Sequence, residues 1–373
     1  MGWIIFIGEK ILLLVFIFLV IIIILLVVEN TLHKRNLNNI KIRILVNGTR
    51  GKTSTTRIIA SAMQSHGIRT IARTTGSAAE VIYPDGIVKP IERKKKARIT
   101  ELIDFVHIAK KENVDCIVVE CMALKGENQR IVAQKLIRPT HVVITNCYVD
   151  HIVEIGSTEE ETVATLAKSI HPDSEVFALD CRIGQYSSHF HKVEKEHFDL
   201  NMNIPIHDDN IALAKAVLSS FDIGDDEIIS SLGNVSPDIG LHKEIRFSSG
   251  SKFLPYFSIN DSTSMIQALH KFESEHLFLI YNNRKDREYR LKPFIDSVGT
   301  SGVKVEKIYV IGDYPRKVCR YFEKYLYSST EAISVADLAL RMRDSKDCTF
   351  LALGNIKGDG ECLVSMLLEE SNE

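Results

Sequence analysis

Eight residues that follow a short apolar run have the side-chain types needed to hold a phosphate group. The run Ile42–Val46 leads into Asn-Gly-Thr-Arg-Gly-Lys-Thr-Ser at 47–54, and small and apolar residues continue to Met63. This order predicts a strand, a glycine-rich loop and a helix. In such a loop the backbone N–H groups turn inward, and the helix N-terminus adds partial positive charge. We therefore expect the loop to bind nucleotide phosphates.

Several side chains of this loop have distinct predicted roles. Lys52 can reach the β- and γ-phosphates, and the Thr53 hydroxyl can ligate Mg²⁺. The spacing differs from the common P-loop, because two residues instead of four separate the glycines and Val46 stands where the first glycine would be. The residues predicted to bind the nucleotide here are Gly48, Thr49, Arg50, Gly51, Lys52, Thr53 and Ser54.

Two later apolar runs also end in polar residues. One finishes at Glu120, and the other finishes at Thr145 and is followed by Asp150 and His151. The carboxyl ends of parallel strands meet at one edge of a sheet, so we expect these residues near the loop. The spacing is consistent with Glu120 as a Mg²⁺ ligand or as a structural hydrogen-bond acceptor. A histidine in this place is commonly structural, because Mg²⁺ prefers oxygen.

The size and composition are those of a folded protein with more than one domain. The chain has 373 residues, 45% of them hydrophobic and 25% charged, with a formal net charge of −2. This length allows two or three domains, and the small net charge gives no sign of a nucleic-acid partner. The seven cysteines form no Cys-x-x-Cys pair, which predicts reduced thiols in a cytosolic body.

An apolar segment near the N-terminus is long enough to cross a membrane. Eighteen consecutive apolar residues run from Ile11 to Val28, close to the length that a helix needs to span a bilayer core of roughly 30 Å. The run is longer than a signal-peptide core and offers no small-residue cleavage site, so we expect an uncleaved anchor. Only Lys10 precedes the run, whereas four cations lie within 34–43. This asymmetry predicts one pass through the cell membrane, with the catalytic domains in the cytoplasm.

Strands and helices alternate through the rest of the chain, which predicts an α/β fold. Apolar runs that end in polar turns are typical of a mostly parallel, doubly wound sheet. The pattern breaks at 234–240 and resumes with four further strands. The predicted segments are a transmembrane anchor (1–29), a polar linker that tethers the loop near the membrane (30–40), a P-loop domain (41–238) and a smaller Rossmann-like α/β domain (239–373).

A strongly basic run lies between the predicted second strand and the next helix. Glu92–Arg98 contains five cations in seven residues. It is consistent with a solvated surface loop and equally with a strip that binds an anionic substrate or polymer. Both interpretations stay open at this point.

Taken together, these motifs resemble those of the Mur ligases and folylpolyglutamate synthases, which couple ATP cleavage to amide bond formation. The loop 48–54, Glu120 and the segment 145–151 match that family's contracted phosphate loop, metal-binding glutamate and Asn…Asp-His segment. Within this superfamily, the chain resembles the ligase subunits of poly-γ-glutamate synthases over nearly its whole length. The matching segments are the N-terminal span, 47–52, 73–76, 119–123, 236–240, 260–264, 283–287 and 354–358.

The resemblance implies a metal site and a base-binding residue. The metal-binding residues would be Thr53, Glu120 and His151, with His151 on a second Mg²⁺ ion. Asn210 would contact the adenine base, although Asp208 and Asp209 replace the common His-Asn lead-in.

The resemblance also implies a catalytic set that draws on both domains. Asp261, Arg284 and Arg287 would close over the nucleotide, and by themselves they are also consistent with surface ion pairs. Many Mur ligases carry a carbamylated lysine, for which Lys168 is the candidate. The residues predicted to act in catalysis are Lys52, Glu120, His151, Asp261, Arg284 and Arg287.

A ligase that uses ATP and Mg²⁺ is the function that the resemblance implies. It would phosphorylate a carboxylate and join the acyl phosphate to an amino acid. Glutamate and the growing poly-γ-glutamate chain are the expected substrates, other membrane subunits are the expected partners, and no nucleic acid is expected. A cell-wall precursor substrate is disfavoured because the chain has no separate domain for a UDP-sugar.

Two other functions remain open from the sequence. A membrane-tethered tyrosine autokinase also joins a span to a P-loop, and Tyr321, Tyr325 and Tyr327 would be its acceptors. A non-enzymatic, ATP-gated scaffold of an envelope complex would bind nucleotide without glutamate-dependent turnover. Phosphotyrosine analysis and a glutamate-dependent ATPase assay separate these functions from a ligase.

Overall fold

Two compact units make up the chain. The first contains residues 1–75, 79–198 and 206–235, and most of the second is 236–373. The predicted domain boundary at 238/239, the Asp150–His151 segment and Asp261 lie outside the residues that the structure describes. The computed structural model describes residues 2–76, 79–93, 97–149, 154–198, 207–235, 244–257, 259, 262–326 and 328–370.

A single long helix, α1 (Gly2–Asn38), opens the chain. From Leu12 onward it is long and apolar enough to cross a membrane, with a mean hydropathy of 3.6. Residues 30–40 are predicted as a polar linker. In the structure they continue the helix as far as Asn38. No glycine or proline interrupts them, and His33 and Leu37 are buried against the first unit. Helix α1 therefore ends inside the fold.

An eight-stranded sheet forms the centre of the first unit. Its strands are β1 (Ile42–Asn47), β2 (Thr70–Thr74), β3 (Glu80–Ile82), β4 (Val88–Pro90), β5 (Cys116–Glu120), β6 (His141–Ile144), β7 (Glu175–Ala178) and β8 (Phe190–Lys192). They lie in the order β4-β3-β2-β5-β1-β6-β7-β8. β1 pairs in parallel with β5 and with β6, so the loops that follow these three strands share one edge. Within the described residues, β3 pairs antiparallel with both β2 and β4, and the other strand pairs of this sheet are parallel.

Helices cover both faces of this sheet. They are α2 (Lys52–Ser65), α3 (Glu101–Lys111), α4 (Gly126–Ile131), α5 (Glu159–Leu166), α6 (Asp208–Leu218) and α7 (Asp225–Leu232). The strands between them are apolar on both faces, as a covered parallel sheet requires. α2 begins directly after the glycine-rich loop, and its residues from Thr55 to Met63 are buried. The sheet edge that carries the loop is therefore held by a packed helix.

The second unit is a six-stranded α/β layer structure. Its strands are β9 (Ile245–Arg246), β10 (Lys252–Tyr256), β11 (Leu277–Asn283), β12 (Lys307–Gly312), β13 (Ser329–Ala332) and β14 (Thr349–Leu353). They lie in the order β13-β12-β11-β14-β10-β9, with only β9 antiparallel to its neighbour. Its helices are α8 (Ser262–Lys271), α9 (Leu291–Ser301), α10 (Pro315–Tyr325), α11 (Val335–Asp344) and α12 (Asp359–Glu370). The predicted α/β fold with two mostly parallel sheets is confirmed.

Candidate functional site

The glycine-rich loop lies between β1 and α2, at the centre of the parallel sheet. Gly48 has φ 130° and Gly51 has φ 79°, a region that favours glycine. There is also no room for a side chain at either position. A Cβ on Gly48 would overlap the Thr145 hydroxyl, and a Cβ on Gly51 would overlap the Asn210 side-chain oxygen. Both positions therefore require glycine for conformation and for room.

Two polar residues after β6 fix the conformation of this loop. Asn146 Oδ1 accepts hydrogen bonds from the Thr49 hydroxyl at 2.6 Å and from the Arg50 N–H at 3.0 Å. The Arg50 carbonyl in turn accepts from Asn146 Nδ2 at 3.1 Å and from the Thr145 hydroxyl at 2.5 Å. The sequence pattern did not assign a separate role to either residue. The feature that could have indicated one is their position directly after a strand that neighbours β1.

Lys52 and Ser54 occupy the first turn of α2. The Lys52 ammonium group folds back over the loop and donates to the carbonyls of Gly48 at 2.7 Å and Thr49 at 3.3 Å. Since the helix begins at Lys52, its first N–H groups have no partner within the helix and are suited to an anion. Ser54 is half-buried in the same turn. The loop thus presents N–H donors and a positive charge together.

Glu120, at the end of β5, lies directly against this turn. Its side chain is 3% exposed, and Oε2 accepts from the Thr53 hydroxyl at 3.0 Å and from the Thr75 N–H at 2.6 Å. The two described residues predicted to bind metal are therefore in contact. The hydrogen bonds alone also agree with a structural carboxylate, so the role of Glu120 as a ligand stays a prediction.

A buried arginine balances the charge of this carboxylate. Arg73 is 1% exposed and donates to Glu101 at 2.5 Å and to the Met122 sulfur at 3.3 Å. Burial lowers the pKa of Arg73, and the carboxylates of Glu101 and Glu120 oppose that shift. Unpaired burial of a charge is costly, so Arg73 and the two carboxylates form one compensated cluster beside the loop.

The oxygen donors at this point suit a divalent cation. Among the described residues, no group of three or more His, Cys, Asp or Glu side chains could hold a metal ion. The Thr53 hydroxyl and the Glu120 carboxylate remain as donors, and Mg²⁺ is commonly bound by one or two carboxylates together with substrate phosphates and water. The residues present therefore fit a magnesium ion that arrives with a nucleotide.

Asn210 and Lys168 are the other candidates in the first unit. Asn210, in the first turn of α6, is 7% exposed and packs against Gly51, so the structure brings it to the phosphate loop. Its role in binding adenine stays a prediction. Lys168 is exposed, and its side chain lies against Gly126 of α4. Carbamylation of Lys168 also stays a prediction, and His151 lies outside the described residues.

Arg284 and Arg287 follow β11 in the second unit. Asp286 lies between them, accepting from Arg284 at 2.6 Å and 3.0 Å and facing Arg287 at 3.9 Å. Arg284 and Arg287 are partly exposed, with 25% and 32% of their side-chain surface accessible. Beneath them, Asn282 Nδ2 donates to the Asn355 carbonyl at 2.8 Å. The two arginines thus follow a strand whose last residues include the buried, hydrogen-bonded amide of Asn282.

Comparison with protein families places both units. A model described as the Mur ligase middle domain matches residues 46–228, and a model described as the poly-gamma-glutamate synthase CapB C-terminal domain matches residues 242–370. The first range contains the phosphate loop, Glu120 and Asn210. The second range contains Arg284 and Arg287.

Curated relatives resemble the chain over most of its length. The capsule biosynthesis protein CapB of Bacillus anthracis is 28% identical, covering 92% of this chain and 80% of its own. The PGA synthase CapB of Bacillus subtilis (strain 168) is 24% identical, covering 92% of this chain and 94% of its own.

Solved structures share the fold at low sequence identity. A bifunctional folylpolyglutamate synthase/dihydrofolate synthase from Yersinia pestis, crystallised with AMPPNP and a Mn ion, superposes with a TM-score of 0.69. It is 12% identical and covers 91% of this chain and 92% of its own. This likeness supports the predicted fold class.

Proposed function

Because this chain belongs to the Mur ligase superfamily and, within it, to the CapB ligases of poly-γ-glutamate synthase, we propose that it polymerises glutamate by forming amide bonds at the expense of ATP. The observation that carries the proposal is the contact of Thr53 with Glu120 beside a glycine loop that is already held in place. The identity of the polymer, poly-γ-glutamate, is inferred from the names of the CapB relatives.

The first chemical step is phosphoryl transfer. An oxygen of a glutamate carboxylate attacks the γ-phosphorus of ATP, the bond to the β-γ bridging oxygen breaks, and ADP leaves. Lys52 and the N–H groups of the loop neutralise the charge that develops on the phosphoryl oxygens. Asn146 and Thr145 keep those donors in position, so little reorganisation is needed when the nucleotide binds.

The second step forms the amide. The amine of an incoming glutamate attacks the acyl phosphate carbon, the carbon–oxygen bond to phosphate breaks, and a proton leaves the nitrogen. Arg284 and Arg287 carry positive charge that suits the substrate carboxylates or the departing phosphate. Asp261 belongs to the same proposed set and lies outside the described residues.

Magnesium is the proposed metal. When bound with ATP it supplies charge neutralisation to the transferring phosphoryl group. The Thr53 hydroxyl and the Glu120 carboxylate would hold it, with His151 proposed at a second ion. The Yersinia pestis structure was obtained with Mn and AMPPNP, which supports a divalent cation at the nucleotide of this fold.

The proposed location of this activity is a membrane, and the support for it is the long apolar helix α1. We propose a single-pass protein of the cell membrane with both catalytic units in the cytoplasm, where ATP and glutamate are available. The four cations that follow the apolar run support this orientation. A chain with one candidate span among its described residues supplies no obvious pore, so export of the polymer is assigned to other membrane subunits.

Glutamate-dependent ATP hydrolysis tests the function directly. Membranes that contain this chain are expected to release ADP faster when glutamate is added and to accumulate an amide-linked polymer. Lys52→Ala is expected to remove both activities, whereas Lys110→Ala, at an exposed lysine of α3, is expected to keep them. Phosphotyrosine without polymer, or nucleotide binding without glutamate-dependent turnover, would contradict the proposal.

A further inference from the structure

The surface of helix α10 divides into an apolar and a cationic face. Val318, Cys319 and Phe322 are buried against the sheet. Lys317, Arg320, Tyr321 and Lys324 are exposed, and their spacing of three, four and seven residues puts them on one side of the helix. Three positive charges therefore follow one another along about 10 Å of helix.

This cationic face forms one wall of a groove in the second unit. The groove has a volume of about 510 Å³. The charged residues that line it are Glu288, Lys292, Lys317, Arg320 and Lys324. They include four cations and a single carboxylate, which gives the groove a net charge of +3. We call it the α10 groove.

The cations of the α10 groove have no acidic partner among the residues that the structure describes. No ion pair joins Lys292, Lys317, Arg320 or Lys324 to a carboxylate there, and Lys324 instead lies 5.4 Å from the centre of the Tyr325 ring. Two other cations of the same unit, Lys307 and Arg341, both pair with Glu331 at 2.9 Å. Unpaired cations in a concave site favour an anionic ligand.

We propose that the α10 groove binds the carboxylates of the growing poly-γ-glutamate chain. The inference rests on the proposed function, because a polymer of glutamate exposes one free carboxylate on each residue. A row of cations along a helix matches a row of carboxylates better than it matches a single phosphate or amino acid. Asn283, the residue before Arg284, is among the residues that line the groove, so a chain bound there lies near an arginine proposed to act on substrate.

Two other polyanions fit this surface less well. An interfacial helix that binds anionic lipid inserts leucine, phenylalanine or tryptophan into the bilayer, whereas the exposed large apolar residues of this region are Tyr314, Tyr321 and Tyr325. A nucleic-acid site is normally part of a basic domain, whereas the chain as a whole has a net charge of −2.

The α10 groove also differs from the basic run 92–98 of the first unit. There Arg93 donates to Glu101 at 2.9 Å, and the Arg98 N–H donates to the same carboxylate at 3.0 Å. Part of that run thus belongs to an internal ion-pair network with Arg73. The groove, in contrast, keeps its described cations available for a ligand.

Neighbouring residues on α10 provide a matched test. Lys317 lines the groove, whereas Arg316 is exposed and does not line it. Lys317→Glu and Arg316→Glu each replace one cation by one anion, so the two variants change the net charge equally. Binding of a fluorescent poly-γ-glutamate oligomer to the full chain in nanodiscs is measured by fluorescence polarisation. We expect Lys317→Glu to weaken binding about tenfold and Arg316→Glu to weaken it less than about twofold. Arg320→Gln serves as a second groove variant, and circular dichroism checks that each variant is folded.

The outcomes separate the groove from the proposed function. If the wild-type chain hydrolyses ATP in response to glutamate but all three variants bind the oligomer as the wild type does, the groove assignment is wrong. If the wild-type chain shows no glutamate-dependent hydrolysis, the proposed function is wrong whatever the oligomer does. Tighter binding to phosphatidylserine vesicles or to single-stranded DNA than to the oligomer would also overturn the assignment. Loss of binding in both groove variants and not in Arg316→Glu supports it.

Discussion

The two units prepare their sheet edges in opposite ways. In the first, the groups around the glycine loop are buried or half-buried and already hydrogen-bonded: Asn146 contacts Arg50, and Glu120 contacts Thr53. In the second, buried amides support the edge, and Arg284 and Arg287 are partly exposed. The first edge is therefore preorganised, because its geometry exists before a ligand binds.

This difference teaches what each unit requires of its ligand. A preformed loop recognises one shape, as the phosphates of ATP present, and tolerates little change in its frame. An exposed set of cations recognises charge and can follow a ligand that grows. Substitutions in the first unit should therefore have large, specific effects on nucleotide use, whereas matched substitutions in the second should affect stability or polymer binding.

The largest expected effect comes from a glycine pair. Gly51→Ala is expected to weaken ATP binding at least about 100-fold, because Ala is strained at φ 79° and its Cβ overlaps Asn210. Gly302→Ala, after α9, has a similar φ of 71° but open space around it. It should cost about 1 kcal/mol of stability and leave ATP affinity unchanged. Calorimetric titration with AMPPNP distinguishes the two; equal affinities in both variants would contradict a preformed loop.

A carboxylate substitution should have the next largest effect. Glu120→Gln keeps the shape but removes the charge that would hold a divalent cation, so ATP turnover should fall about 10- to 100-fold. The control is Glu127→Gln, at an exposed residue of α4 that pairs with Arg130 three residues on, which should change turnover less than about twofold. The measurement is turnover against Mg²⁺ concentration. A Glu120→Gln protein with an unchanged magnesium requirement would show that this carboxylate is structural.

Two asparagines should separate loop geometry from unit stability. Asn146→Ala removes three hydrogen bonds to the loop and is expected to weaken nucleotide binding about tenfold. Asn355→Ala removes the bond that its side chain donates to the Asn282 carbonyl and the bond that it accepts from Arg290, and should lower the melting temperature by a few degrees with little change in nucleotide affinity. Thermal unfolding with and without AMPPNP reports both quantities. The comparison fails if the two variants behave alike.

The last comparison concerns thiol reactivity and involves no substitution and no change in activity. Cys121 follows Glu120 and is 2% exposed, and burial raises the pKa of its thiol to about 11. Cys362, on α12, is exposed. At pH 8 iodoacetamide should therefore label Cys362 at least about 100-fold faster than Cys121, and Cys121 labelling should rise as the pH approaches 11. Mass spectrometry measures both rates, and equal labelling at pH 8 would mean that the first edge opens readily.

Much of this arrangement is predictable from local sequence. Helix α2 begins at Lys52, at the glycine-rich loop as predicted, because loop glycines and apolar runs act over a few positions. The strand, loop and helix around Gly48–Ser54 follow the same local rules. These elements needed no information about distant parts of the chain.

Other features depend on contacts between distant positions. Asn146 accepts a hydrogen bond from Arg50, which is 96 positions away in the sequence. The parallel pairing of β6 with β1 brings the two residues together. The segment predicted as a linker continues helix α1 to Asn38, where His33 and Leu37 are buried against residues distant in the chain. The α10 groove likewise arises from packing of α10 beside the start of α9, so a charge pattern in one helix did not reveal it.

Transfer of oxygen from substrate to phosphate tests the central claim most directly. Glutamate labelled with ¹⁸O in its carboxylates is supplied with ATP to membranes that contain this chain, and the released phosphate is analysed by mass spectrometry. An acyl phosphate intermediate predicts one ¹⁸O atom in each phosphate that accompanies an amide bond. Unlabelled phosphate produced together with polymer would contradict the account.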